Sequence, residues 1–124
     1  MVNNQIIGAR DTHLPPEDLD LVALRDNLLE QRLFRQEQLR QIAATARADA
    51  PPGQRAVSQA EVRVQLAASA RMVLADVDAA LIRMDEGGYG VCGLCRRPIE
   101  SERLAIVPQA RHCTRCQQVR EAGR

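Results

Sequence analysis

The stretch Gly87-Gly88-Tyr89-Gly90-Val91-Cys92-Gly93-Leu94-Cys95, answered downstream by Cys113-Thr114-Arg115-Cys116, decides how this chain folds. It holds all four cysteines of a 124-residue sequence, arranged as two CxxC pairs with 17 residues between them. Two short knuckles at this spacing make a tetrahedral thiolate site for one zinc ion, with Cys92, Cys95, Cys113 and Cys116 as ligands. Four protein ligands leave the metal no open position, so the zinc is expected to hold structure and not to perform chemistry. Two disulfides would require an oxidising compartment, and the N-terminus lacks the basic start and apolar run of a secretion signal. A thioredoxin-type redox pair would need a strand before it and a helix after it, whereas a glycine-rich segment precedes Cys92. His112 could compete as a ligand, but four thiolates at matching spacing make it redundant.

Upstream of the cysteines the sequence reads as helix. Pro15-Pro16-Glu17-Asp18 suits a helix start, with proline in the first turn and acids at the positive end of the dipole. Nothing breaks a helix from about Leu19 to Ala48. Leu21, Leu24 and Leu28 lie on one face with Leu29 and Leu33 beside it, and Ile42, Ala43 and Ala46 resume the stripe. Gln31, Arg35 and Gln38 interrupt it and soften the middle of the seam. Ala50-Pro51-Pro52-Gly53 stops this helix. A second helix opens at a Ser58–Glu61 capping box or a turn earlier near Gln54. Val62, Leu66, Ala70, Val73, Val77, Leu81 and Met84 then form one apolar stripe, until Gly87 or Gly88 caps the helix.

Two helices of roughly 30 residues, each about 45 Å long, joined by a loop of about 5–8 residues, must lie antiparallel. The expected fold is therefore mainly α: a long antiparallel two-helix coiled-coil hairpin, a small four-cysteine zinc finger and a short C-terminal helix near Gln117–Arg120. The expected division is a tail at 1–16, the hairpin at 17–86 with its tip at about 49–56, and the finger at 87–124. Ala43, Ala46, Ala67 and Ala70 are expected to let the helices approach closely near the tip. Leu66 is expected in the seam, so that Leu66→Asp would melt the hairpin. In the finger, Tyr89 is expected to pack on the module, and Ile99, Leu104, Ile106 and Val107 to form its core.

Composition narrows the function. With one Phe, one Tyr and no Trp, a large globular core is not expected. The 17 basic residues are all Arg. Residues 1–86 carry 10 Arg against 13 Asp and Glu, a net of −3, and residues 87–124 carry 7 Arg against 3 Glu, a net of +4. A zinc ion with four thiolates contributes −2, so Arg96, Arg97, Arg111 and Arg115 are read as neutralising the cluster, and not as a nucleic-acid surface. Asp76, Asp78, Asp85 and Glu86 read as solvated helix residues. No catalytic constellation or phosphate loop appears, and a thin hairpin offers no concave pocket, so the chain is not expected to be an enzyme. A cytoplasmic monomer without membrane association is expected.

The string Gly88 to Cys95, followed by Pro98-Ile99, Arg103-Leu104, Pro108 and Cys113-Thr114-Arg115-Cys116-Gln117, resembles the DksA/TraR zinc-finger family of bacteria. The resemblance implies a transcription regulator that binds RNA polymerase directly, inserts its coiled coil into the secondary channel and modulates initiation with its tip. No sequence-specific binding to DNA is implied. The tip set is Asp49, Pro51, Pro52, Gly53, Gln54, Arg55 and Ala56. It departs from the family's D-x-x-D-x-A pattern, since Pro51 and Gln54 stand where acids are usual and only Arg55 and Ala56 carry over. Basic positions that contact guanosine tetraphosphate in responsive members fall on Asp76, Val107 and Gln117, which implies a weak or absent response. Two other classes stay open: a zinc-ribbon adaptor or nucleic-acid-binding protein using its arginine-rich finger, and a thiol/zinc redox sensor.

Overall fold

The computed structural model describes residues 19–48 and 54–123, with the side chains of 54–56 outside that description. Four helices follow in order: α1 (Leu21–Ala48), α2 (Gln54–Glu86), α3 (Ser101–Ile106) and α4 (Thr114–Ala122). Helices α1 and α2 pack along each other as the expected antiparallel hairpin, and α3 and α4 belong to the cysteine module. The tail at 1–16 and the proposed start at Pro15–Asp18 lie outside the described residues. Helix α1 begins after Asp20, whose Oδ1 accepts from the Ala23 amide at 3.1 Å, an N-cap that fixes the start two residues beyond Leu19. Helix α2 begins at Gln54, so Ser58 sits inside the helix and the expected capping box does not open it. With 33 residues α2 is about 50 Å long.

The end of α2 is a Schellman turn. Gly87 takes φ +83°, Gly88 N–H donates to Arg83 O at 2.9 Å, and Gly87 N–H donates to Met84 O at 3.3 Å. Only glycine adopts this conformation without strain, and it swings the chain off the rod into the first knuckle.

The seam differs from the sequence reading in one instructive respect. On α2 the buried or half-buried positions are 63, 67, 70, 73, 74, 76 to 81, 83 and 84, and within them 63, 67, 70, 74, 77, 81 and 84 advance in six steps over 21 residues. The stripe read from the sequence started at Val62 and ran through Leu66. The two agree at Ala70, Val73, Val77, Leu81 and Met84 and part company toward the tip. The physical reason is supercoiling: two helices stay in contact only along positions that average 3.5 residues, while a straight apolar stripe drifts at 3.6. Leu66 consequently stands 47 % exposed and Ala67 is buried. On α1 the same rule selects Leu24, Leu28, Gln31, Arg35, Gln38 and Ile42. The three polar residues that interrupt the leucine stripe thus lie in the seam, and Leu21, Leu29 and Leu33 face outward. Gln31 Nε2 donates to Asn27 Oδ1 at 2.8 Å, and Arg35 donates to Gln38 Oε1 at 2.9 Å, so these groups satisfy one another. Ala67 and Ala70 are buried as expected near the tip, but Ala43 and Ala46 are exposed.

Register is set at the base. Arg25 pairs with Asp85 at 3.0 Å and Arg32 with Asp78 at 3.2 Å, seven residues on along α1 against seven back along α2. Asp76 also pairs, with Arg111 of the finger at 3.2 Å. These three carboxylates are therefore engaged and not merely solvated.

A single core joins rod and finger. Leu28, Val77, Ala80 and Leu81 of the rod are buried with Tyr89, Cys92, Ile99, Leu104, Ala110 and Cys113. Tyr89 packs on the module as expected, and its hydroxyl donates to Pro108 O at 2.7 Å. Burial pushes its phenol up to about 12, with the nearby Arg83 charge opposing. Ile106 is 82 % exposed and does not join the core. It lies two residues from buried Leu104 on a six-residue helix, and a two-residue step points to the opposite side.

Candidate metal centre

The first knuckle is a tight hairpin. Val91 bridges Pro98 in antiparallel fashion, Ile99 N–H donates to Gly90 O at 2.8 Å, and Cys92 N–H donates to Arg97 O at 2.8 Å. Between these bonds the chain must reverse in four residues, and Arg96 does so with φ +65°. The second knuckle is the start of α4: Cys113 is its N-cap and Cys116 lies in its first turn. The helix therefore starts at Thr114, earlier than the Gln117 expected from sequence. In both knuckles an amide donates to sulfur, Leu94 N–H to Cys92 Sγ and Cys116 N–H to Cys113 Sγ, each at 3.4 Å. Gly93 N–H donates to Arg111 O at 2.9 Å and clasps the two knuckles together.

The four sulfur atoms of Cys92, Cys95, Cys113 and Cys116 all lie within 4.8 Å of one another, and Cys95 Sγ is 3.9 Å from Cys113 Sγ. A tetrahedral zinc site with 2.3 Å bonds needs sulfurs about 3.8 Å apart. The donor set and its spacing therefore fit one structural zinc ion, and His112 is not part of the cluster. The electrostatics agree. Burial pushes the Cys92 thiol up, but hydrogen bonds from Cys95, Cys113 and Leu94 outweigh it and leave the group at about 6. Hydrogen bonding with Cys113, followed by burial, pushes Cys116 up to about 12. Crowded thiols cannot all ionise unaided, and a dication at their centre supplies what they lack.

Around the cluster, Arg97 and Arg115 share a cleft with Cys95, Cys113 and Cys116, in keeping with charge compensation. Arg111 instead reaches the rod. Two positioning contacts were not read from the sequence: Arg103 Nε donates to His112 O at 2.9 Å, and Glu100 Oε1 accepts from Thr114 N at 3.2 Å at the start of α4. Both bring together residues separated by a loop whose path has no periodic signal. The finger is tied to the rod by Arg83 donating to Ala110 O at 3.3 Å and Gln31 donating to Gln109 Oε1 at 3.3 Å.

Of the expected tip residues, Asp49, Pro51, Pro52 and Gly53 lie outside the described residues, while Gln54, Arg55 and Ala56 form the first turn of α2 and not a loop. Asp76, Val107 and Gln117 line one cleft together with Arg103, Arg111 and Arg120. Among the described residues no helix is long and apolar enough to cross a membrane.

These features define a closed four-cysteine zinc finger mounted on a helical hairpin. Residues 87–122 match the prokaryotic dksA/traR C4-type zinc finger. A protein of Aquifex aeolicus (strain VF5), itself uncharacterized, is 36 % identical over 52 residues, which span 40 % of this chain and 36 % of that protein's length. The structure of transcription factor DksA2 from Pseudomonas aeruginosa superposes with a TM-score of 0.74, over 92 % of this chain and 89 % of that one, at 24 % identity. This likeness establishes the shared fold.

Proposed function

We propose that the protein is a cytoplasmic, non-enzymatic transcription regulator that binds RNA polymerase directly, entering its secondary channel with the hairpin and modulating initiation with the tip. The observation that carries this reading is a dksA/traR finger sharing one core with the base of a rod about 50 Å long. A rod rooted in this way can deliver its far end to a fixed depth, whereas a rod on a loose linker could not. The centre with four thiolates offers no open coordination position, so the zinc serves the mounting. In this reading the effector residues are Asp49, Pro51, Pro52, Gly53, Gln54, Arg55 and Ala56, and the protein works as a monomer without sequence-specific DNA contacts.

A weak response to guanosine tetraphosphate belongs to the same reading. Asp76 brings a carboxylate to its cleft, and Val107 and Gln117 bring no charge to it. Micromolar binding of the alarmone in calorimetry with the polymerase complex would overturn this part alone.

The test is a pull-down of core RNA polymerase by the zinc-loaded protein, followed by competition with another secondary-channel factor. Competitive binding is expected, and replacing Pro51-Pro52-Gly53 should leave binding intact while altering transcription in a purified system. Binding to free DNA without polymerase, weakening steeply with salt, would favour the nucleic-acid-binding alternative instead.

A further inference from the structure

Where the rod meets the finger, a cleft of about 480 Å³ opens between the end of α2 and the knuckles. Three arginines from three separate segments line it: Arg83 from the last turns of α2, Arg96 from the first knuckle and Arg111 from the loop before the second. Glu86 is the carboxylate on its wall, and His112 lies beside Arg111. Three guanidinium groups against Glu86 on the wall and Asp76 paired with Arg111 leave the cleft with a net of +1.

Compensation of the thiolates explains only part of the finger's arginine excess. Arg97 and Arg115 sit with the cysteines. Arg96 and Arg111 line a cleft that contains no cysteine. Arg96 also occupies, at φ +65°, a backbone conformation in which glycine would be unstrained. The chain thus tolerates strain to keep a guanidinium at this wall. Arg83 and Arg111 are close enough to repel: burial first, and then the Arg111 charge, hold the Arg83 guanidinium below its ordinary value. Asp76 at 3.2 Å from Arg111 and Ala110 O at 3.3 Å from Arg83 use only part of the donors that two guanidinium groups carry.

We propose that Arg83, Arg96 and Arg111 form a binding site for a phosphate dianion, either free or as the terminal group of a small phosphate ester. Guanidinium groups brought to one cleft by three separate segments suit a tetrahedral acceptor with three outward oxygens better than a carboxylate, whose two oxygens lie in one plane. A cleft of this volume has room for more than the anion itself. The site adjoins the cleft of Asp76, Val107 and Gln117, and it does not depend on the protein binding a polymerase.

The test is a titration of the isotope-labelled, zinc-loaded full chain, followed by amide nuclear magnetic resonance, with inorganic phosphate in one series and adenosine monophosphate in another. Saturable shifts confined to Gly88, Gly93, Arg96 and Arg111 are expected. Tighter binding of the ester would identify the ester as the source, and equal affinity would identify the free anion. Arg96→Gly should keep the fold, since it relieves the positive φ, yet weaken binding about tenfold through the lost charge-assisted bonds. Arg97→Gln, on the thiolate side, should bind as the parent does. Shifts that never saturate, shifts centred on Arg97 and Arg115, or unchanged affinity in Arg96→Gly would overturn the proposal.

Discussion

The two ends of the rod are built to different standards. At the base, Leu28, Val77, Ala80 and Leu81 are sealed against Tyr89, Ile99 and Leu104 of the finger, and the pairs Arg25–Asp85 and Arg32–Asp78 hold the register. Toward the tip, Ala67 and Ala70 are buried, while Val57, Val62, Val64 and Leu66 stand exposed on the same helix. Small side chains give close approach but little buried area, at roughly 25 cal/mol per Å². The difference teaches that the hairpin is not uniformly a coiled coil: stability is concentrated where the finger is attached, and the far half is held chiefly by continuity with it. Opening free energies along a chain vary in this way, and the segments that engage partners are drawn from the low end.

The strongest test of that contrast is to remove the metal. Stripping zinc, or substituting Cys113→Ser, takes away a site that contributes on the order of 10 kcal/mol in isolated finger peptides. Because Cys92 and Cys113 belong to the core that contains Leu28 and Val77, the damage should spread into the base of the rod. Amide hydrogen exchange should show protection around Leu28 and Val77 collapsing toward the low level expected of residues 57–66. If the base keeps its protection without zinc, rod and finger are separate units and the shared core carries no weight.

Next in size is a pair of truncations on the rod alone. Leu28→Ala should cost about 2–5 kcal/mol, the range for a buried leucine. Leu66→Ala should cost less than about 1 kcal/mol, as exposed positions do. Denaturant unfolding monitored by circular dichroism measures both. Leu66→Asp should likewise be tolerated, in contrast to its expected effect when Leu66 is taken as a seam residue. Comparable losses at the two positions would mean that the far half is packed as firmly as the base.

How much of this was legible in the sequence follows the same division. The cysteine spacing, the glycine stop at Gly87 and the apolar positions Ala70, Val73, Val77, Leu81 and Met84 carry strong local signals, and the structure places them as read. The seam near the tip was misread because apolar residues there, Val62 and Leu66, do not mark the buried face; the contact follows the supercoil's repeat, and selects Ala67. On α1, Gln31, Arg35 and Gln38 lie in the seam as read, whereas Leu21, expected on the same face as Leu24 and Leu28, is exposed. Helix α3 leaves no mark in the sequence because six residues are too few to show a period, and hydrophobicity alone puts Ile106 inside, where the structure does not. The pairing of Asp76 with Arg111 joins residues 35 positions apart and has no sequence signature at all.

A smaller effect separates burial from hydrogen bonding at the junction. Tyr89→Phe removes the bond to Pro108 O and should cost about 0.5–1.5 kcal/mol. The chain has one tyrosine and no tryptophan, so phenolate absorbance reads Tyr89 directly. Its folded phenol is raised to about 12 from an ordinary value near 10. A group raised on folding stabilises fully below its unfolded value and loses that contribution as pH rises through the folded one. The parent's advantage over Tyr89→Phe should therefore hold at neutral pH and shrink between about pH 10 and 12. A phenolate transition in the native protein near pH 10 would show that the ring is not sealed by the finger.

The smallest expected effect concerns register. Arg32 and Asp78 approach to 3.2 Å with both side chains close to half exposed, so their coupling in a double-mutant cycle should be about 0.2–1 kcal/mol and should weaken with salt. A pair this weak cannot hold the hairpin together, but it can select one alignment over its neighbours, because a shift of the helices would part Arg25 from Asp85 at the same time. Like-charge replacement is the sharper probe: Asp78→Arg places two guanidinium groups together at the base and should raise exchange near Leu28 and Val77 while leaving residues 57–66 as they were. If the far half responds as strongly as the base, the register is set along the whole rod and not where the finger is attached.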